Sequence, residues 1–130
     1  MARVHRALAA EPIALRQGFR QIHGEVLVNG VLAKVGEPVS RGDVVATCAG
    51  AHAVYVMGDN AFMQRENGLA EFGASSAATF LRVVTGGLLA VFGKGRRQLA
   101  TQVATIGIRG TGCYIETDAR KSYFCLCFGS

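Results

Sequence analysis

From Gly24 onward, hydrophobic and polar positions alternate over short stretches, and each stretch ends in turn-forming residues. Glu25-Val26-Leu27-Val28 and Val31-Leu32-Ala33-Lys34-Val35 flank Asn29-Gly30. Both residues of that pair tolerate positive φ, so the pattern predicts a tight hairpin. Gly36-Glu37-Pro38 and Arg41-Gly42-Asp43 predict two further turns, the second leading into a strand over 44–48. More strands are predicted over 52–57, 61–65, 69–72, 80–84, 88–92, 99–108, 113–117 and 122–128. Thr85-Gly86-Gly87 reads as a turn between the fifth and sixth of these, counting from 44–48. Strand signals every 8–12 residues or so, without a sustained helical period, predict an all-β domain of short antiparallel strands. The turn spacing recurs but no motif repeats, so a sandwich and a solenoid-like coil both fit.

The first 17 residues do not share this pattern and are read as an N-terminal tail or signal remnant, with the β domain over 18–130. Arg3 and Arg6 precede Ala7-Leu8-Ala9, which resembles a signal-peptidase site, but no apolar stretch separates them. The signal peptide is therefore incomplete. Leu8, Ile13 and Leu15 would share one face of a short helix, which Pro12 would bound.

Composition sharpens the fold class. Of 130 residues, 17 are Gly, close to twice the usual share of about 7%. That density disfavours a helical bundle, because Gly destabilises helix interiors. Half of the chain is hydrophobic and 18% is charged, which excludes an intrinsically disordered chain. The longest apolar run, 80–92, is interrupted by Arg82 and Gly86-Gly87 and falls short of the ~20 residues of a membrane-spanning helix. The formal net charge of +5 is spread thinly over the chain and comes with few aromatic residues, so no nucleic-acid partner is predicted. The densest basic segment, Lys94-Gly95-Arg96-Arg97, reads as a solvated hairpin tip.

Nucleotide motifs fail on their spacing. A phosphate loop ending at Gly93-Lys94 needs Gly at position 88, which is Leu, and Ser or Thr at 95, which is Gly. Gly107-Ile108-Arg109-Gly110-Thr111-Gly112 has the wrong glycine order for a dinucleotide fingerprint. His5, His23 and His52 stand apart in sequence and read as surface or edge residues. Asp43 and Asp59 each follow Gly at a turn, where a carboxylate accepts backbone N–H groups. No enzyme is predicted.

The cysteines carry the sharpest local chemistry. Four of them, Cys48, Cys113, Cys125 and Cys127, are too sparse for a disulfide scaffold. A four-residue loop over 118–121 pairs Thr117 with Ser122 and sets Cys113 opposite Leu126, as a buried thiol. A bulged three- or five-residue frame sets it opposite Cys127, where a bridge forms. Cys125 and Cys127, with Cys113 as a third candidate, are also thiolate ligands for zinc or iron in an alternative metal- or redox-sensor reading. No cofactor is expected in the main reading.

Six stretches carry a family resemblance. Gly24 to Gly30, Gly36-Glu37-Pro38-Val39 and Arg41-Gly42-Asp43-Val44-Val45-Ala46-Thr47 resemble the opening of a FecR domain, "G-x-v-x-v-x-G … G-x-x-v-x-x-G-D-x-v-x-T". Leu81-Arg82-Val83-Val84-Thr85-Gly86-Gly87-Leu88 resembles its next strand. Ala104-Thr105-Ile106-Gly107-Ile108-Arg109-Gly110-Thr111 resembles its "a-x-i-G-v-R-G-T" signature. The closing Tyr123-Phe124-Cys125-Leu126-Cys127-Phe128-Gly129 is similar to a branch of small exported members. The resemblance implies an all-β periplasmic domain that binds a protein partner and signals, as in iron-transport regulators. Gly42, Asp43, Gly107, Arg109, Gly110 and Thr111 form its structural signature, with the Arg109 guanidinium bonding carbonyls across a glycine turn. The resemblance does not extend to the family's anti-sigma segment or membrane anchor, so sigma-factor control is not among the expectations it carries over.

Overall fold

The computed structural model describes residues 16–73, 80–93, 97–101, 105–108, 112–118 and 122–128. They form β1 (Gly18–His23), β2 (Val26–Val28), β3 (Val31–Leu32), β4 (Val44–Thr47), β5 (His52–Met57), β6 (Asn60–Gln64), β7 (Leu69–Phe72), β8 (Leu81–Val91), β9 (Arg97–Ala100), β10 (Thr105–Ile108), β11 (Gly112–Thr117) and β12 (Ser122–Phe128). The fold is all-β, and every pairing between these strands is antiparallel except that of β8 with β9.

The short strands follow from turn chemistry. Asn29 and Gly30 have φ of 52° and 83° and close the β2–β3 hairpin, with Val28 opposite Val31. The Asn29 amide then ties this hairpin to the next turn. Its Nδ2 donates to Asp43 Oδ1 at 2.9 Å, and its Oδ1 accepts from the Val44 N–H at 2.9 Å. Asp43 Oδ2 accepts from the Ser40 N–H at 2.8 Å, the role expected of a carboxylate after a turn glycine.

β8 organises the molecule. Its first half lies between β7 and β9, with Leu81 opposite both Phe72 and Leu99. Its second half lies between β6 and β11, with Leu88 opposite both Gln64 and Ile115. One sheet therefore runs β1-β5-β6-β8-β11-β12, the other β3-β2-β4-β7-β8-β9-β10, and they share this strand. The expected turn at Thr85-Gly86-Gly87 is instead a bend within a continuous strand. Gly86 has φ of 88°, and pairing continues on either side, Thr85 with Leu69 and Gly86 with Thr117. The strand predicted over 99–108 is likewise divided into β9 and β10, paired as a hairpin with Ala100 opposite Thr105. The non-sequential strand order does not match a solenoid.

The core fills the space between the two sheets. Phe19, Tyr55, Phe62, Phe72, Leu81, Leu88, Leu99 and Ile115 are fully buried. The Phe72 ring from the second sheet lies 5.9 Å from Tyr55 and 5.1 Å from Phe62 of the first, both edge-on. Such contacts add about 0.5–1.5 kcal/mol each to the area term. Beyond β1 the core is closed by the 36–37 turn, where the Gly36 N–H donates to Phe19 O at 2.7 Å and the Phe19 N–H to Glu37 O at 2.9 Å.

Candidate functional site

Among the described residues, the outer face of the first sheet carries two adjacent rows of different chemistry. Alternation places Ala53, Tyr55, Phe62, Gln64, Leu88, Ala90, Cys113 and Ile115 inward. The residues between them point outward. Register aligns Gln21, Val54, Met63, Leu89 and Tyr114 in one row across five strands. Val54 and Leu89 are half-buried, Met63 is 45% exposed, and Val91 on the next row is 37% exposed.

Beside this apolar row runs a polar one containing His52, Arg65, Gly87 and Glu116. The Arg65 N–H donates to Gly87 O at 2.9 Å, and Gly87 stands opposite Glu116. Arg65 Nη1 donates to the Tyr114 hydroxyl at 3.2 Å. This contact, followed by the charge fields of Glu116 and Glu66, raises the guanidinium pKa further above its ordinary value.

Two open grooves meet at Arg65 and Glu66. One, of about 600 Å³, is lined among others by Asn67, Thr85, Tyr114, Glu116 and Asp118. The other, of about 510 Å³, is lined by Gln21, His52, Val54 and Met63 among others. The glycines of the β8 bend form the floor of the first. A Cβ on Gly86 would overlap the Gly68 backbone, and one on Gly87 would overlap the Tyr114 hydroxyl and stand 3.3 Å from Arg65 Cδ. The 65–68 turn is held against the bend by Thr47, whose hydroxyl donates to Arg65 O at 2.6 Å and accepts from the Gly68 N–H at 2.9 Å. The two grooves together offer one guanidinium, three carboxylates, a phenol, two amides, an imidazole and the apolar side chains of Val54 and Met63. That combination suits recognition of an extended polar and apolar surface.

The sequence-predicted residues fall largely elsewhere. Gly42 has φ of 94° with open space beyond its Cα, so its conformation, not crowding, requires glycine. Gly107 lies in β10 opposite Gln98. Arg109, Gly110 and Thr111, the basic residues Lys94 and Arg96, and the N-terminal tail up to residue 15 lie outside the described residues. Thr117 pairs with Ser122, Cys113 stands opposite Leu126 and Tyr114 opposite Cys125, the register of the four-residue loop. Cys113 is fully buried. Cys48 is a half-buried free thiol. Among the described residues, no group of three or more His, Cys, Asp or Glu side chains is placed to hold a metal ion.

Two findings were not foreseen. His23 and His52 do not stand apart: they are directly opposed on β1 and β5, with rings stacked at 4.9 Å between centroids and 15° between planes. Arg65 and Tyr114 carried no sequence signal, because only the strand order β6-β8-β11 brings them together. No family model, curated protein or solved structure matches the chain.

Proposed function

We propose that the protein is a non-enzymatic binding and signalling module of the FecR kind, working in the periplasm. It takes a protein partner on the outer face of its first sheet. The observation that carries this reading is the meeting of two grooves at Arg65 beside the row Val54, Met63 and Leu89. Apolar side chains at the centre supply area, and the charged rim of Arg65, Glu66 and Glu116 sets orientation. The rigid β8 bend fixes both. The family part of the reading rests on the order and spacing of the motifs in the sequence.

The test is site-specific photo-crosslinking in cells, with the reactive group placed at Met63 or at Val31 on the second sheet. A discrete adduct at Met63 and none at Val31, in the periplasmic fraction, is expected. Equal labelling at both sites, or a protein confined to the cytoplasm, rejects the reading.

A further inference from the structure

We propose that His23 and His52 form a binding site for a divalent transition metal ion, with copper(II) preferred over nickel(II) and zinc(II). The two residues are directly opposed across β1 and β5, and their rings already lie side by side at 4.9 Å. Two imidazole nitrogens bound to one ion at 2.0–2.1 Å lie roughly 3 Å apart. Imidazole lone pairs lie in the ring plane, so the stacked rings must turn out of their parallel arrangement, by rotation about the side-chain bonds of two directly opposed residues, to converge on one ion.

The backbone at this point is well fixed. One residue inward, Ile22 stands opposite Ala53, which is fully buried. One residue outward, Gly24 at φ of 77° packs so close to Ala51 that a Cβ would stand 2.9 Å from the Ala51 Cα and Cβ. Beyond it the Cys48 N–H donates to Glu25 O at 3.0 Å. Clamped strands hold the two ligands near their bound separation before the ion arrives, which lowers the ordering cost of chelation.

The ligand set selects the ion. Two neutral imidazoles are borderline donors that favour copper, nickel and zinc over calcium or magnesium, which require oxygen ligands. Affinity for the same site rises toward copper(II) and falls again at zinc(II). Because the pair supplies two protein ligands, water fills the other positions. His52 lines the groove of about 510 Å³, and His23 is exposed, so there is open space for that water.

The test uses tag-free protein and equilibrium dialysis against copper(II), nickel(II) and zinc(II). One equivalent of bound metal is expected, together with a rise in thermal midpoint that calcium and magnesium do not produce. His23→Ala and His52→Ala should each weaken binding by at least about tenfold, while His5→Ala leaves it unchanged. Circular dichroism confirms that each variant is folded. Cobalt(II) separates this site from the cysteines, since imidazole ligation gives visible d–d bands without a thiolate charge-transfer band in the near ultraviolet. No bound metal in the wild type, undiminished binding in both variants, or a strong thiolate band accounting for the bound ion overturns the proposal.

Discussion

Tyr55 begins a hydrogen-bond chain that Gln64 carries from the first sheet to the second. Its hydroxyl donates to Gln64 Oε1 at 2.7 Å, and Gln64 Nε2 donates to Val45 O on the second sheet at 3.1 Å. Tyr55 and Gln64 are both almost completely buried. Tyr55→Phe leaves a buried amide oxygen without its donor, so a loss of about 1–3 kcal/mol is expected. Urea unfolding reads it as a lower midpoint at unchanged slope. Burial also pushes the Tyr55 phenol far above its ordinary pKa of 10.0. The folded state then holds this proton where the unfolded chain releases it. The contribution to stability is complete below about pH 10 and is lost as pH rises beyond it. In an alkaline titration followed by phenolate absorbance, Tyr55 should ionise only as the protein unfolds. Ionisation of all three tyrosines in a still-folded protein contradicts this.

At the scale of elements, the β8 bend depends on two glycines for different reasons. Gly86 has positive φ, and a side chain there would strike the Gly68 backbone, which cannot swing away. Gly86→Ala should cost on the order of 2–4 kcal/mol. A side chain on Gly87 would strike the end of Tyr114, which can turn aside. Gly87→Ala should therefore cost about 1 kcal/mol or less, while breaking the Arg65–Tyr114 contact. Denaturant midpoints of the two variants test the ranking; equal losses reject it. These elements also show what a sequence makes legible. Asn29-Gly30 is a local signal, and the hairpin formed there. The 118–121 loop fixed the β11–β12 register by length alone. Thr85-Gly86-Gly87 carries the same composition as a turn, yet partners on both flanks keep the strand running. The stacking of His23 on His52, and the contact of Arg65 with Tyr114, depend on pairings that local patterns do not encode.

For the whole molecule, alternation and glycine content identified the all-β class, but not how the sheets close. That closure rests on β8, which takes pairs from β7 and β9 along one half and from β6 and β11 along the other. Neither sheet can lose β8 without exposing the core of the other. A single cooperative transition is expected, with far-ultraviolet dichroism and tyrosine fluorescence giving the same midpoint. In native-state hydrogen exchange, the β8 amides from 81–84 and from 88–90 should exchange only by global unfolding. Separate free energies for the two groups would show that the sheets open independently.

The same sharing makes the chain unequally tolerant of insertions and deletions. A residue added at the Asn29-Gly30 tip lengthens one loop and disturbs only the two-residue strand β3 and the bonds from Asn29 to Asp43 and Val44. A residue added within β8 reverses, from that point on, which side chains face the core. It also carries the error into both flanking neighbours, so compensation would need matching length changes in two other strands at once. The bend can be reached by substitution one position at a time, but length variation along 81–91 has almost no single-step path. Divergent forms of this fold should therefore vary in length at the hairpin tips while keeping this strand the same length.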